Sequence, residues 1–384
     1  MLKYRYGIII PYYENAVKEF YMDLFKKIPS LDIWQYLSSN ERPIVMYGMG
    51  NGADKILAVC EKYNITVSDF FASDGFVRGH SFHGKRVLSF SEAKEKYGKD
   101  MIILLSFGSS LPDVLSIFKS INEEYELYAP DVPVCGENIF TLKFFNANKQ
   151  KIEAARNLLC DDISLKIFDN VILYKLTGKI SYLFDAECDR ADSFKLINAQ
   201  SIRSFADLGA YRGDTLAEML GYAENLESAY ALEPDARTFK KLSAFCESYG
   251  GRAMLYPKNI AAWSHADTLV FNSSSNRNSG AFAPTTNAKT VETEANSLDN
   301  ILNGTPIDHI KYDVEGAERQ AIEGSMATIK NHSPSLTVSV YHRSEDIFEL
   351  PLQIHALNEN YRMYLRRYPY VPAWDVELIC KTDG

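Results

Sequence analysis

The stretch Phe205-Ala-Asp-Leu-Gly-Ala-Tyr-Arg-Gly-Asp214 decides how this chain folds. It begins with apolar residues, turns at Gly209 and Gly213, and continues into a helical pattern from Thr215. A buried strand, a glycine turn and a helix in this order are typical of the carboxyl edge of a parallel α/β sheet, where ligands bind. The next apolar run ends at Glu233-Pro234-Asp235. This order predicts that the turn and Glu233 hold a nucleoside-type cofactor.

Alternating strands and helices predict two Rossmann-like units joined by a helical connector. The first unit follows helices predicted between residues 12 and 40, and the second begins near Ile202. The fold class is therefore α/β, with a larger Rossmann-like sheet, a smaller amino-terminal Rossmann-like unit and the connector. The predicted boundaries are 1–145 for the amino-terminal unit, 146–200 for the connector and 201–384 for the second unit. In the second unit we predict strands near 204–208, 228–232, 253–256, 307–312, 335–341, 362–367 and 376–380, and helices that begin near Asp214, Ala236, Glu318 and Leu350.

Composition and charge exclude several classes of protein. The 384 residues are 46% apolar and carry a net charge of −9, with scattered lysines and arginines, so no nucleic-acid partner is expected. No apolar run approaches the roughly 18 residues of a membrane span, and the amino terminus lacks the pattern of a signal peptide. The six cysteines form no C-x-x-C pair. We therefore expect a cytoplasmic protein with reduced thiols, whose oligomeric state the sequence leaves open.

The residues around the turn at Gly209 favour a cofactor that has no phosphate. A dinucleotide places its pyrophosphate at the amino terminus of the next helix, where Asp214 would repel it. S-adenosylmethionine carries a sulfonium, an ammonium and a carboxylate instead. Asp207 is placed to meet the ammonium, Gly209 lets the backbone approach the ligand, and Glu233 is placed to accept hydrogen bonds from the ribose hydroxyls. These residues therefore predict S-adenosylmethionine.

A second glycine turn leaves a rival hypothesis open. Gly48, Gly50 and Ala53 follow a strand predicted at Ile44 to Tyr47, in an arrangement that suits a phosphate. The alternative function is therefore an NAD- or nucleotide-sugar-binding Rossmann protein with a degenerate transferase domain. A structural module that binds no ligand is the third interpretation of this turn.

Five blocks in the second half of the chain resemble one known family. They comprise Phe205–Thr215, Ala231–Asp235, Asn259–Trp263, Ser297–Asp299 and Ile307–Glu318. Their order and spacing are similar to those of the FkbM-type S-adenosylmethionine-dependent methyltransferases, over roughly residues 155–384. The most specific block ends the series with Lys-Tyr-Asp-Val-Glu-Gly-Ala-Glu, at residues 311–318. The resemblance implies a class I methyltransferase fold and methyl transfer, usually to oxygen.

The same resemblance implies roles for individual residues. Asp313 and Glu315 are implied as acids of the active site. The contacts with S-adenosylmethionine are implied to come from the glycine turn, the Glu233 loop and the Asn259 block: Asp207, Gly209, Ala210, Tyr211, Gly213, Asp214, Glu233, Pro234, Asn259 and Ala261.

Three polar residues follow neighbouring predicted strands and suggest how an acceptor is activated. Asp313 and Glu315 follow the strand at 307–312, and His342 follows the strand at 335–341, so all three are expected at one sheet edge. A hydroxyl acceptor must lose its proton, and we predict His342 or Asp313 as the base. Alternatively, Asp313 and Glu315, with His342 as a further ligand, bind a divalent cation such as magnesium.

The expected acceptor is a small hydroxylated molecule such as a sugar or a nucleotide sugar. The polar segment from Asn272 to Pro284 is predicted to be a loop, and it serves either as a lid over the acceptor or as a plain connection.

Overall fold

The structure is a computed structural model that describes residues 23–77, 79–272 and 290–383. Most of the helix predicted from residue 12 and the polar segment beyond Asn272 lie outside the described residues. Within the described ranges, no helix combines the length and the apolar character needed to cross a membrane.

The amino-terminal unit contains a five-stranded parallel sheet. Its strands are short and apolar, and all four residues of the central strand are buried, as expected for a parallel sheet covered by helices on both faces. The strands of the unit are β1 (Ile44–Tyr47), β2 (Val67–Ala72), β3 (Ser81–Phe82), β4 (Lys85–Arg86), β5 (Leu88–Ser89), β6 (Ile102–Leu105) and β7 (Glu126–Tyr128). Strands β3 and β4 form a small antiparallel hairpin apart from this sheet. The sheet order is β5-β2-β1-β6-β7. The helices of the unit are α1 (Asp23–Lys27), α2 (Ile33–Ser38), α3 (Asn51–Lys62), α4 (Phe90–Tyr97) and α5 (Pro112–Glu124).

Four helices connect the two sheets. They are α6 (Leu142–Asn157), α7 (Asp162–Thr177), α8 (Ser181–Phe184) and α9 (Arg190–Leu196). The Asp161 side chain caps α7, and Gly178 ends it in the left-handed conformation, which are the usual roles of aspartate and glycine at the two ends of a helix. The connector packs on the second sheet, where the Leu365 amide donates to the Ser164 hydroxyl at 2.8 Å. The first of these helices begins at Leu142, so the predicted boundary at 145/146 falls inside α6.

The second unit contains a seven-stranded sheet. Its strands are β8 (Ser204–Leu208), β9 (Ser228–Leu232), β10 (Met254–Lys258), β14 (His309–Tyr312), β15 (Ser335–Ser339), β16 (Arg362–Arg367) and β17 (Val376–Lys381). The order is β10-β9-β8-β14-β15-β17-β16, and only β17 runs antiparallel to its neighbours. The direction of winding reverses between β8 and β14, and open α/β sheets bind ligands at such a switch point.

The remaining elements of this unit surround the sheet. A three-stranded sheet is inserted after β10, and it is formed by β11 (Ala261–Ala262), β12 (Asp267–Asn272) and β13 (Thr290–Asn296). The helices are α10 (Asp214–Tyr222), α11 (Ala236–Ser248), α12 (Leu298–Leu302), α13 (Glu318–Glu323), α14 (Met326–His332) and α15 (Asp346–Leu357).

The predicted elements agree with the structure except at some ends. The strands predicted at 204–208, 228–232 and 362–367 have those bounds. The helix predicted to begin near Leu350 begins at Asp346 instead, which places Pro351 inside the helix rather than in its first turn, the usual position of proline. The α/β fold class is confirmed, whereas the boundaries at 145/146 and 200/201 stay predictions.

The carboxyl edges of the two sheets face each other. Ser109, which follows β6, and Val371, which follows β16, exchange backbone hydrogen bonds of 2.9 and 3.1 Å. A side chain at Gly108 would lie 2.9 Å from both Trp374 and Tyr370, so the two loops are in close contact. Buried residues of both sheets also belong to one continuous hydrophobic cluster.

Candidate functional site

Gly209 directly follows β8 and contacts the loop that follows β14. Its φ is +89°, and a Cβ at this position would lie 1.9 Å from the Asp313 carbonyl oxygen, so only glycine fits without a shift of the backbone. The amides of Gly209 and Ala210 both donate to the Leu232 carbonyl, at 2.9 and 2.8 Å. The glycine turn is thus held between the ends of β9 and β14, at the switch point of the sheet.

The rest of the turn leads into α10. Gly213 has a φ of +90° and lies against Phe245, which leaves no space for a Cβ. Asp214 is exposed at the first position of α10, as the sequence predicts. The amide of Tyr211 donates to Glu233 Oε2 at 3.0 Å, which joins the turn to the acid after β9.

Glu233 is a buried acid that organises the loop after β9. Its Oε1 accepts a hydrogen bond from the Asp235 amide at 2.8 Å. Burial raises the pKa of Glu233 to about 7, although the amides of Asp235 and Tyr211 oppose the shift. The Asn259 amide group donates to the carbonyls of Glu233 and Pro234, at 2.8 and 3.0 Å. Asn259 therefore supports this loop.

Ala261, a further predicted cofactor contact, lies in a different element. It is buried in β11, where it pairs with Ala295 of β13. The pairing places it in the inserted sheet that follows β10, beside the Asn259 turn.

Asp207 is fully buried, yet neither of its carboxylate oxygens accepts a hydrogen bond from the described part of the chain. Burial raises the pKa of Asp207 to about 6, against the nearby charge of Lys311, which is its register partner on β14. Such a carboxylate is costly unless it gains a partner. The orphaned oxygens beside the glycine turn therefore fit a cationic group, such as the ammonium of S-adenosylmethionine.

The loop after β14 carries the predicted acids in an unusual backbone conformation. Glu315 has a φ of +53°, which costs a residue other than glycine about 1–2 kcal/mol. The amides of Val314 and Gly316 donate to Glu318 Oε1, at 2.9 and 3.4 Å. Lys311 Nζ lies 3.0 Å from Asp313 Oδ2. The loop is thus held by internal hydrogen bonds and by a buried lysine.

His342 lies between three acids. Its Nδ1 is 2.9 Å from Glu318 Oε1, and its Nε2 is 3.6 Å from Asp313 Oδ1 and 3.7 Å from Glu315 Oε2. Burial lowers the pKa of His342, but the negative charge of Glu318 and the other two acids outweighs it and raises the pKa to about 10. The imidazole is therefore protonated at neutral pH and forms ion pairs with the acids around it.

The two other acids have different pKa values. Burial raises the pKa of Glu315 to about 7, against the charge of His342. Burial also favours neutral Asp313, but the charge and hydrogen bond of Lys311 together with the charge of His342 hold the pKa of Asp313 below its usual value. Of these two acids, Asp313 is therefore the one that is fully ionised at neutral pH.

Exposure divides the cluster into an open half and a buried half. The side chains of Asp313 and Glu315 are 30% and 47% exposed, whereas those of His342 and Glu318 are 1% exposed. Asp313 and Glu315 are therefore open to solvent, and His342 and Glu318 lie beneath them.

Several residues of this site carry no signal in the sequence that would predict their roles. Glu318 stands in the most specific block, but its pairing with His342 depends on burial that no local pattern indicates. Two further residues come from the amino-terminal unit, and no sequence signal identified them. The Cys135 thiol donates to the Glu315 carbonyl, and Lys55 Nζ donates to the carbonyl of Val134, the residue before Cys135.

Asp313, Glu318 and His342 form a group that could hold a metal ion. Each offers one ligand atom, and these atoms lie within 4.8 Å of one another.

Comparisons with known proteins agree with this geometry. Residues 207–372 match the methyltransferase FkbM domain. The crystal structure of methyltransferase FkbM from Methylobacillus flagellatus KT is similar with a TM-score of 0.68 at 19% identity, over 96% of this chain and 100% of that chain. No curated protein matches the sequence.

Two other solved structures align with about half of the chain. An rRNA methylase from Streptococcus thermophilus has a TM-score of 0.35 at 10% identity, over 51% of this chain and 97% of that chain. Aeropyrum pernix fibrillarin, in complex with natively bound S-adenosyl-L-methionine, has a TM-score of 0.32 at 10% identity, over 50% of this chain and 74% of that chain.

The family match begins at Asp207, the orphaned carboxylate of β8, and includes both the glycine turn and the acid cluster. The similarity to the Methylobacillus structure shows that the fold of both units is shared. This chain therefore carries a methyltransferase domain of the FkbM family at residues 207–372.

Proposed function

We propose that the protein uses S-adenosylmethionine to methylate a hydroxyl group of a small polar acceptor, such as a sugar or a related metabolite. The contact between Gly209 and Asp313 carries the proposal. It supports a cofactor site and an acid that share one edge of the sheet, so that donor and acceptor would meet there.

Each part of the glycine turn has a role in binding. Asp207 offers two orphaned oxygens to the ammonium group, and Glu233 offers its carboxylate to the ribose hydroxyls. Gly209 allows close approach of the ligand, and Asn259 fixes the Glu233 loop. When bound, S-adenosylmethionine supplies an activated methyl group on its sulfonium.

Asp313 is the proposed proton acceptor. Lys311 holds its Oδ2, while Oδ1 lies 3.5 Å from the Tyr341 hydroxyl and 3.6 Å from His342 Nε2. Methyl transfer from the sulfonium to a hydroxyl would require that hydroxyl to lose its proton, and the Asp313 carboxylate would take up this proton. His342 is buried, is protonated at neutral pH and has its Nδ1 beside Glu318, so its position suits orientation of Asp313 and Glu315 rather than proton removal.

Calorimetry tests the cofactor. We expect S-adenosylmethionine to bind and Asp207→Asn to weaken binding, because the neutral amide loses its attraction for the ammonium. Binding of NAD or a UDP-sugar in the absence of S-adenosylmethionine binding would instead support the alternative of a nucleotide-binding protein with a degenerate transferase domain.

Replacement of Asp313 tests the chemistry. With methyl-labelled S-adenosylmethionine and a panel of sugars and nucleotide sugars, Asp313→Asn should slow transfer by about 100-fold or more, since a positioned base contributes this much. The affinity for S-adenosylmethionine should stay nearly unchanged. The control is Asp308→Asn, because Asp308 precedes the same strand at the opposite edge of the sheet. Equal rates for wild type and Asp313→Asn would remove Asp313 from the mechanism.

A divalent cation is the second candidate for activating the acceptor. The grouping of Asp313, Glu318 and His342 favours it, because Glu318 Oε2 has no hydrogen-bond partner among the described residues. Glu315, the other ligand predicted with Asp313, is the open acid beside this group. A cation that activates the acceptor would make transfer sensitive to chelators and would appear in elemental analysis of the purified protein. Transfer that is insensitive to EDTA, by a metal-free protein, would exclude this candidate.

A further inference from the structure

One segment of the amino-terminal unit contacts both halves of the acid cluster in the second unit. The Cys135 amide donates to the His342 carbonyl at 2.9 Å, and the Cys135 thiol donates to the Glu315 carbonyl at 3.0 Å. Cys135 is buried, so solvent does not compete for these hydrogen bonds. A single residue thus connects the backbone of the open acid Glu315 with the backbone of the buried His342.

The contact falls where the acid loop has the least freedom. Glu315 and Gly316 are two successive residues in the left-handed region, with φ values of +53° and +93°. A Cβ at Gly316 would lie 2.5 Å from the Cys135 sulfur, so the two segments are packed without a gap. Arg343 Nε donates to the Gly316 carbonyl at 2.9 Å and closes the other side. The left-handed conformation therefore depends on neighbours from outside the loop.

Lys55 of α3 anchors the segment that carries Cys135. Its Nζ donates to the carbonyls of Pro133 and Val134, at 3.3 and 2.9 Å. Residues 129–141 contain no helix or strand, so the position of Cys135 depends on such anchors. A continuous series of contacts thus runs from Lys55 through Val134 and Cys135 to Glu315.

We propose that residues 133–135, anchored by Lys55, are a positioning element that holds Glu315 toward the acceptor. The amino-terminal unit would then act in methyl transfer without touching the cofactor. The part of this inference that concerns turnover rests on the proposed function, whereas the effect on the loop conformation does not.

Hydrogen exchange measured by mass spectrometry tests the positioning directly. Lys55→Met removes both hydrogen bonds and keeps the length of the side chain, so the amides of residues 313–318 should exchange about tenfold faster. Lys55→Arg, which keeps a donor, should restore most of the protection.

Lys85→Met is the matched control. Lys85 lies in the same unit and likewise donates to two consecutive carbonyls, those of Val67 and Ser68, at 2.9 and 2.6 Å. If Lys55→Met merely loosened the amino-terminal unit, Lys85→Met would affect residues 313–318 equally. Unchanged exchange in Lys55→Met, or equal effects of the two variants, would overturn the proposal.

The transfer assay adds a functional measurement. Lys55→Met and Cys135→Ala should lower kcat about tenfold and leave the affinity for S-adenosylmethionine, measured by calorimetry, within about twofold of wild type. Cys135→Ser should be closer to wild type because it keeps a donor. A kcat unchanged in both Lys55→Met and Cys135→Ala would overturn the positioning role. Failure of the wild-type protein to bind S-adenosylmethionine would defeat the proposed function alone, since the exchange experiment needs no ligand.

Discussion

Gly209 joins the two halves of the candidate site through its lack of a side chain. Its backbone occupies the space between β8 and the Asp313 loop, and any Cβ there would overlap the Asp313 carbonyl. The same residue thus permits both the turn and the close approach of the acid loop.

Substitution of Gly209 should therefore destabilise the whole protein. Gly209→Ala combines a left-handed φ with a steric overlap of backbone atoms, so we expect the free energy of unfolding to fall by about 3 kcal/mol. Urea denaturation measures it. The control is Gly221→Ala in α10, where a Cβ meets no atom within 4 Å and should stabilise by about 0.5–1 kcal/mol. Equal stabilities of the two variants would contradict the packing at Gly209.

Glu233 should make cofactor binding depend on pH. Its carboxyl group, with a pKa of about 7, is largely protonated below neutral pH, whereas the ribose hydroxyls and the positive charge of the ligand favour the ionised form. Binding then releases a proton, and affinity for S-adenosylmethionine should rise up to about tenfold between roughly pH 6 and pH 8. Calorimetry in buffers of different ionisation enthalpy measures both quantities.

Glu233→Gln separates this effect from other titrating groups. The variant should bind more weakly at pH 8 and lose most of the pH dependence, while the part due to Asp207, with a pKa of about 6, stays. A pH dependence in Glu233→Gln as steep as in wild type would show that Glu233 is not the responsible group.

The start of α7 combines two stabilising interactions in one side chain. Asp161 caps the helix by accepting from the Ser164 amide at 2.8 Å, and it also lies 2.6 Å from the buried Arg366 of β16. The connector is thus attached to the second sheet by a charged pair at an element boundary. The cap depends on residues close together in the sequence, whereas the pair does not, because Arg366 lies on a strand far along the chain.

Removal of this side chain should cost more than the loss of an ordinary cap. Asp161→Ala leaves Arg366 buried without its carboxylate, so we expect a loss of about 3 kcal/mol in the free energy of unfolding. Asp235→Ala is the matched control, because Asp235 caps α11 through the Thr238 amide from an exposed position and should cost about 1 kcal/mol. A difference near zero between the two variants, measured by thermal melting, would show that the pair with Arg366 adds nothing.

The two units should unfold together, because buried residues of both sheets form one hydrophobic cluster. Trp34 is buried in the amino-terminal unit, and Trp263 follows β11 in the second unit. In each of two variants that keep one of these tryptophans, the midpoint of urea denaturation by fluorescence should coincide with the midpoint by far-UV circular dichroism of the same variant. Separated midpoints would mean that the units are stabilised independently.

The parts of the site that sequence predicts well are those fixed by neighbouring residues. β8 and β9 have the predicted bounds because an apolar run that ends at glycine or at Glu-Pro marks the strand end locally. Asp313, Glu315 and His342 were expected at one edge, since they follow parallel strands, and in the structure His342 Nε2 lies 3.6 Å from Asp313 Oδ1 and 3.7 Å from Glu315 Oε2. Glu318 and Cys135 were missed, because their roles depend on partners in other segments.

The sequence by itself determined the α/β alternation, the glycine turn and the acids after the strand ends, because strand burial and turn conformation depend on residues close together in the chain. Only the tertiary structure decided which acids are open and which are buried: Glu315 is 47% exposed, whereas Glu318 is 1% exposed beside His342. It also decided that Cys135 meets Glu315, a contact between two separate units. Such contacts depend on how the sheets pack against each other, and no local pattern of residues encodes that packing.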